Sequence, residues 1–215
     1  MRVCLASTSP ARLMLLRQAG IEPLTRAPQV DEEAMIAGVE ATEERTLPPE
    51  EHVLLLARAK AADVAAALAV EGFDGIVIGG DSMFELDGAT LGKPYEPDIA
   101  RARWHDMRGR TGTLHSGHSV FRVAPDAPLR EAHAVAAASV SFAADLTDAE
   151  IDAYVATGEP LLVAGAFTVD SLGGAFIERV EGDPSTVVGM SLSTVRALVR
   201  RLEVEWTDLW APHAS

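Results

Sequence analysis

A short apolar strand, Val3-Cys4-Leu5-Ala6, runs straight into Ser7-Thr8-Ser9-Pro10-Ala11-Arg12 and then into a leucine-rich helix. Beginning with a strand, a tight turn and a helix, the chain sets a pattern that keeps alternating to its end and argues an α/β fold. The turn is also a place for an anion. Its hydroxyls and the first free helix N–H groups face outward, the helix dipole favours negative charge, and Arg12 adds a fixed fork of donors. A phosphate suits such a turn, although by itself the stretch also reads as a plain N-cap, Ser9 before Pro10.

The helix from Pro10 to Ala19 ends at Gly20, and Ile21 to Val30 reads as a second strand. Asp31 to Pro49 is acidic and weakly patterned, a surface loop or short helix, and Pro49 to Val70 is a long alanine- and leucine-rich helix. Gly75-Ile76-Val77-Ile78-Gly79 has the look of a buried central strand. Met83 to Leu91 reads as a hairpin turning at Asp87-Gly88. A helix over Asp98 to Arg108, two long strands over Thr113 to Ala124 and Arg130 to Ala144, and a capping box at Thr147-Asp148-Ala149-Glu150 follow. The glycine-rich stretch Gly165 to Gly174, a strand over Ala175 to Val180 and a helix over Leu192 to Val204 complete the order. Two adjacent hairpins within this alternation predict a mixed, twisted sheet flanked by helices, in two lobes with a central cleft. We read residues 1–215 as a single domain.

The 215 residues suffice for a sizeable core, and 48% apolar with 23% charged residues is ordinary globular composition. With 32 acidic against 18 basic residues and a formal net charge of −14, a face that binds DNA or RNA phosphates is not expected. A small phosphorylated ligand needs only a few local cations and stays open. Cys4, the single cysteine, reads as a core thiol in a reducing compartment. No segment has the length and apolar character of a membrane helix, and structure begins too early for a leader, so a cytoplasmic protein is expected.

Gly79-Gly80-Asp81-Ser82 follows the central strand, where α/β proteins place ligand and metal groups. Asp81 suits a metal or a water there, or an Asx-turn entering the hairpin. Gly92-Lys93-Pro94 ends that hairpin, whose arms fold back and return Lys93 toward Asp81; a lone Lys-Pro also suits a solvated turn. Asp31-Glu32-Glu33 is by itself a solvated acidic run. Lys60, among Ala57, Ala59, Ala61 and Ala62, has neighbours small enough for close approach, yet as a single residue it reads as an exposed helix position. The six histidines, His52, His105, His115, His118, His133 and His213, show no zinc spacing, and no serine has the partner spacing of a nucleophile.

In their order these residues resemble the Maf family of nucleotide pyrophosphatases, first known as septum-formation inhibitors. The likeness covers nearly the whole chain. It is carried by Leu5-Ala6-Ser7-Thr8-Ser9-Pro10-Ala11-Arg12, Val30-Asp31-Glu32, Ala57-Arg58-Ala59-Lys60-Ala61, Gly80-Asp81-Ser82 and Gly92-Lys93-Pro94. Gly158-Glu159-Pro160, Ala164-Gly165-Ala166-Phe167 and the run Glu181-Gly182-Asp183-Pro184-Ser185-Thr186-Val187-Val188-Gly189-Met190 extend it. The resemblance implies an ITPase-like fold and an enzyme that cleaves nucleoside triphosphates between the α and β phosphates with Mg²⁺ or Mn²⁺. It implies Asp81 as the proton acceptor, or as a metal ligand that only orients a metal-bound hydroxide, and Glu32 as a metal-associated acid. Arg12, Lys60 and Lys93 match cations around the triphosphate, and Ser9 matches the hydroxyl at the anion turn. A homodimer is also implied, though Trp206 and Trp210, one helical turn apart, have a spacing more typical of core packing.

The departures concern the base. In the subgroup acting on dTTP and UTP, a second arginine, a threonine and a glutamine stand where this chain has Ala11, Ser82 and Asp170, and a lysine stands at Val163. An ionised Asp170 only accepts hydrogen bonds, which suits a base edge rich in N–H. A purine or modified purine is therefore expected over dTTP, with broad specificity equally open. A nucleotide-binding regulator of cell division without catalysis is the competing expectation.

Overall fold

The structure, a computed structural model, describes residues 1–211, so His213 lies outside the described residues. Seven strands form one mixed sheet in the order β2-β1-β3-β5-β6-β7, with β4 hairpinned on β3. These are β1 (Arg2–Ala6), β2 (Leu24–Thr25), β3 (Gly75–Leu86), β4 (Ala89–Leu91), β5 (Thr111–Val123), β6 (Arg130–Phe142) and β7 (Ile177–Glu181). The helices are α1 (Pro10–Gln18), α2 (Glu32–Glu43), α3 (Pro49–Val70), α4 (Pro97–Met107), α5 (Asp148–Ala156), α6 (Pro184–Val188) and α7 (Leu192–Arg201). The mixed α/β class expected from the sequence is the one observed. Its chain forms two compact units, one of Met1–Asp81, Ser116–Ala136 and the residues from Gly189, the other of Ser82–His115 and Ala137–Val188.

The first unit is built on β1, β2 and the first half of β3, with β1 parallel to both neighbours. α3 begins with Pro49 at its first position and Glu50 and Glu51 in its first turn, and a left-handed Gly72 follows it. Its buried stripe runs Val53, Leu56, Ala57, Lys60, Ala61, Val64, Ala65 and Leu68, the spacing of one helical face. Its second half, Ala61, Val64, Ala65 and Leu68, packs in a core with Cys4, Ala6, Val77, Phe121 and Val123. Burial pushes the Cys4 thiol up to about 11, so it stays a protonated core group. At the end of the described chain, Leu209 is buried, Trp206 is half-buried, and Trp210, though exposed, lies against Gly20.

The second unit is centred on aromatic rings. Trp104 of α4 meets Phe142, Tyr154 and Phe176 edge to face, and Phe84 meets Phe142 and Phe167 in the same way. The Asp87-Gly88 hairpin and the Thr147–Glu150 capping box are both formed.

The central strand runs on past Gly79 to Leu86 and the last helix ends at Arg201 rather than Val204, and the region between β1 and α3 differs further. The strand expected over Ile21–Val30 shrinks to Leu24–Thr25, because only Cys4↔Leu24 and Leu5↔Thr25 are paired. Of the loop or short surface helix expected after it, the helix is realised: the twelve-residue α2, capped by the Asp31 side chain on the Ala34 N–H and burying none of its residues. An N-cap and two glutamates in the first turn stabilise such a helix without core packing.

Candidate active site

The parallel register sets this site. β1 and β3 pair from Arg2↔Gly75 to Ala6↔Gly79, so Ser7 leaves β1 level with Gly80, one residue before Asp81. α3 lies over this end of β3 where neither element has bulk. A Cβ on Gly79 would fall 2.6 Å from the Ala57 carbonyl oxygen and 2.7 Å from the Ala61 Cβ. This close approach brings Lys60, the residue before Ala61, onto the strand.

Lys60 is buried, at 7% exposure, which corrects the exposed position expected of it as a single residue. Its Nζ donates to Asp81 Oδ1 at 2.8 Å and lies 2.9 Å from Glu32 Oε1. The pairing is the physical reason a lysine is tolerated on an otherwise apolar stripe, since an isolated buried ammonium is costly. Arg58, two residues earlier, points the other way and bonds Glu131 of β6 through two 2.9 Å contacts. Of the two cations in the middle of α3, only Lys60 enters the site.

Ser9 is the N-cap of α1: its hydroxyl accepts from the Arg12 N–H at 3.4 Å. The plain capping reading is therefore realised, while a hydroxyl that accepts keeps its own proton to donate. The Arg12 side chain turns back across the turn, donating from Nε to the Gly189 carbonyl at 2.8 Å and from Nη1 to Ser7 Oγ at 3.3 Å. Gly189 is in the left-handed region, φ 118°, a conformation suited to glycine. Burial lowers the Arg12 pKa from its ordinary value, and the charges of Asp81 and Glu32 oppose that shift. Arg12, Asp81 and Glu32 thus share one electrostatic field.

A polar layer lies beneath these groups. The single Ser116 Oγ–H of β5 is shared between the carbonyls of Asp81 at 3.3 Å and Gly189 at 3.4 Å. His118 Nε2 accepts the Ser191 N–H at 2.9 Å, so that nitrogen carries no proton. Ser116 and His118 are fully buried. Beside Glu32, a cavity of about 380 Å³ opens between the α2 face from Glu32 to Glu40 and His52 and Leu56 of α3.

Ser9, Arg12, Glu32, Lys60 and Asp81 thus all fall in the first unit, as does Ala11 at the start of α1. Lys93, Ser82 and Asp170 belong to the second. Strand pairing in the hairpin ends at Phe84↔Leu91, two residues short of Lys93, which is exposed. Asp170 is exposed, and Ser82 is half-buried in β3. Sequence reasoning missed Ser7, Ser116 and Gly189 as partners of these groups. Gly189 stood inside a quoted motif, but its contact with Arg12 spans 177 positions and no local signal marks it.

The chain from residue 2 to residue 202 matches the Maf-like protein family, and the protein belongs to it. A nucleoside triphosphate pyrophosphatase of Leifsonia xyli subsp. xyli is 62% identical over 210 residues, covering 98% of this chain and 97% of that one. A second of that name, from Rhodococcus jostii, is 52% identical, covering 96% and 95%. Among solved structures, a nucleoside-triphosphatase / dITP/XTP pyrophosphatase from Mycobacterium abscessus aligns at 15% identity and a TM-score of 0.34. It covers 68% of this chain and 77% of that one, an overlap too slight to argue from. No helix among the described residues is long and apolar enough to cross a membrane.

Proposed function

We propose that the protein hydrolyses nucleoside triphosphates between the α and β phosphates, releasing a nucleoside monophosphate and pyrophosphate. The observation that carries this reading is Lys60, buried and held between Asp81 and Glu32, in the unit that presents Arg12 and the capped turn of α1. The names of the relatives point the same way.

In this reading the α1 turn, with Ser9 and Arg12, receives phosphate oxygens, and Lys60 and Lys93 add positive charge along the chain. Water attacks the α phosphorus, its proton passes to the Asp81 carboxylate, and the bond to the bridging oxygen breaks as pyrophosphate leaves. Negative charge grows on the non-bridging oxygens and on the leaving group, where Arg12 and the lysines stabilise it. Lys60 holds one Asp81 oxygen at 2.8 Å and so sets the orientation of the carboxylate.

The donor set fits a divalent cation, Mg²⁺ or Mn²⁺. Asp81 and Glu32 converge on one ammonium, each with a second carboxylate oxygen to offer, and hard cations of this kind take one or two carboxylates with phosphates and water completing the shell. When bound, such an ion would neutralise phosphate charge and acidify a water.

Ala11, Ser82 and Asp170 are the positions we assign to the base. Ala11 offers no side-chain donor and Asp170 only accepts, so purine or modified-purine triphosphates are favoured over dTTP, and removal of non-standard nucleotides is the task. The setting is the cytoplasm, where nucleoside triphosphates are made and used. The test is product analysis with Mg²⁺ or Mn²⁺ over dTTP, UTP, CTP, GTP and 7-methyl-GTP. Pyrophosphate in step with monophosphate is expected. Nucleotide bound by folded protein without turnover would replace this reading with that of a binding regulator.

A further inference from the structure

We propose that Glu159 is a positioning residue for substrate, holding in place the two stretches of the second unit that carry Lys93 and Asp170. The inference rests on the roles proposed above for those two residues.

Five donors converge on this one carboxylate. Oε1 accepts from the Tyr154 hydroxyl at 2.9 Å, from the Gly173 N–H at 3.1 Å and from the Thr168 hydroxyl. Oε2 accepts from the Ser171 hydroxyl at 2.8 Å and the Leu172 N–H at 3.3 Å. Four of the five belong to Thr168–Gly173, the stretch with Asp170 at its middle. Desolvation pushes the Glu159 carboxyl up, but the bonds from Thr168, Ser171, Gly173 and Tyr154 outweigh it and hold it at about 2. At neutral pH the group is therefore an acceptor only.

The surrounding chain needs such a tie. From Glu159 to Phe176 it forms only short 3-10 turns, with Gly165 and Ala166 both in the left-handed region, and Trp104 anchors its middle through the Ala166 carbonyl. The same segment reaches Lys93. The Leu161 carbonyl, two residues past Glu159, accepts the Tyr95 N–H at 3.0 Å, and the Arg103 guanidinium holds the Gly92 carbonyl. Lys93 thus sits on a backbone pinned on both sides. Tyr95 keeps φ at 59°, a strained value for a bulky residue that an outside bond must maintain.

A merely structural carboxylate would change stability and leave substrate recognition alone. The experiment compares KM and kcat for GTP and dTTP in Glu159→Gln, in the milder Ser171→Ala, which removes one donor, and in Lys93→Ala and Asp170→Asn, singly and in pairs. Folding of each variant is checked by circular dichroism at the assay temperature. A rise in KM of about tenfold with kcat nearly unchanged is expected for Glu159→Gln, with a smaller rise for Ser171→Ala. In the Lys93→Ala background the Glu159 effect on KM should shrink to the part carried by Asp170, so the two effects combine less than multiplicatively. Effects that multiply, or an unchanged KM in folded Glu159→Gln, would overturn the proposal. An unchanged KM in Lys93→Ala alone would instead overturn the phosphate role of Lys93. The clamp then stands or falls on whether Glu159→Gln shifts the GTP-to-dTTP preference as Asp170→Asn does.

Discussion

The two units use their interiors differently. The first buries Ser7, Lys60, Ser116, His118, Ser119 and Ser191, whereas among the described residues of the second only Thr186 is a buried polar group of this kind. The second fills its interior with Phe84, Trp104, Phe142, Tyr154 and Phe167. Buried polar groups must each find partners, and in the first unit those partners tie β3, β5 and the Gly189 turn into the frame that fixes Asp81 and Arg12. Aromatic packing instead supplies stability without chemistry. Substitutions in the first interior should therefore cost turnover, and substitutions in the second should cost stability.

The largest effect that would break this division is at Trp104. Its ring is fully buried, meets three other rings, and donates to the Ala166 carbonyl at 2.8 Å. Trp104→Ala should lower unfolding free energy by about 3–5 kcal/mol in denaturant titration, with kcat of the folded fraction little changed. A large fall in kcat without loss of stability would contradict the division.

Gly79→Ala probes the other side. Its new Cβ meets the Ala57 carbonyl oxygen at 2.6 Å, backbone that cannot swing away. α3 must shift and carry Lys60 with it. A stability loss of about 1–3 kcal/mol is expected, with kcat falling on the order of 100-fold from misplacement of the Lys60–Asp81 pair. Unaltered kcat in steady-state assays would show that the close approach of α3 to β3 does not set the site.

The smallest effect concerns Glu159, the polar tie of the second unit. Its carboxyl is held at about 2 against an ordinary 4.5, so its contribution is full above 4.5 and is lost as pH falls through about 2. The stability gap between wild type and Glu159→Gln should be on the order of 2 kcal/mol at pH 6, discounted for solvent, and close between those values. A gap constant with pH, measured by urea unfolding, would remove the ionised carboxylate as its source.

Local signals were the legible ones. α3 has its expected bounds because a run of alanine and leucine after Pro49 is a local signal, and the Asp87-Gly88 turn and Thr147 capping box each need only nearby residues. β2 was overextended because strand length depends on a partner, and only Leu24 and Thr25 have one. Lys60 was legible in part. Alanine neighbours are compatible with either face, and the helical spacing that puts Lys60 on the stripe from Val53 to Leu68 is a signal that reading it as a single residue leaves unused. The Gly189 carbonyl on Arg12 was beyond reach, since nothing near either residue encodes a contact across 177 positions.

The central claim is that the Asp81 carboxylate, fixed by Lys60, performs the hydrolytic step. The most direct measurement is pyrophosphate release by Asp81→Asn beside wild type, with nucleotide binding followed on the same samples. The amide keeps the size of the side chain and removes its charge. Turnover should fall on the order of 10²–10⁴-fold while fold and nucleotide binding persist. Turnover equal to wild type in the folded variant would contradict the account.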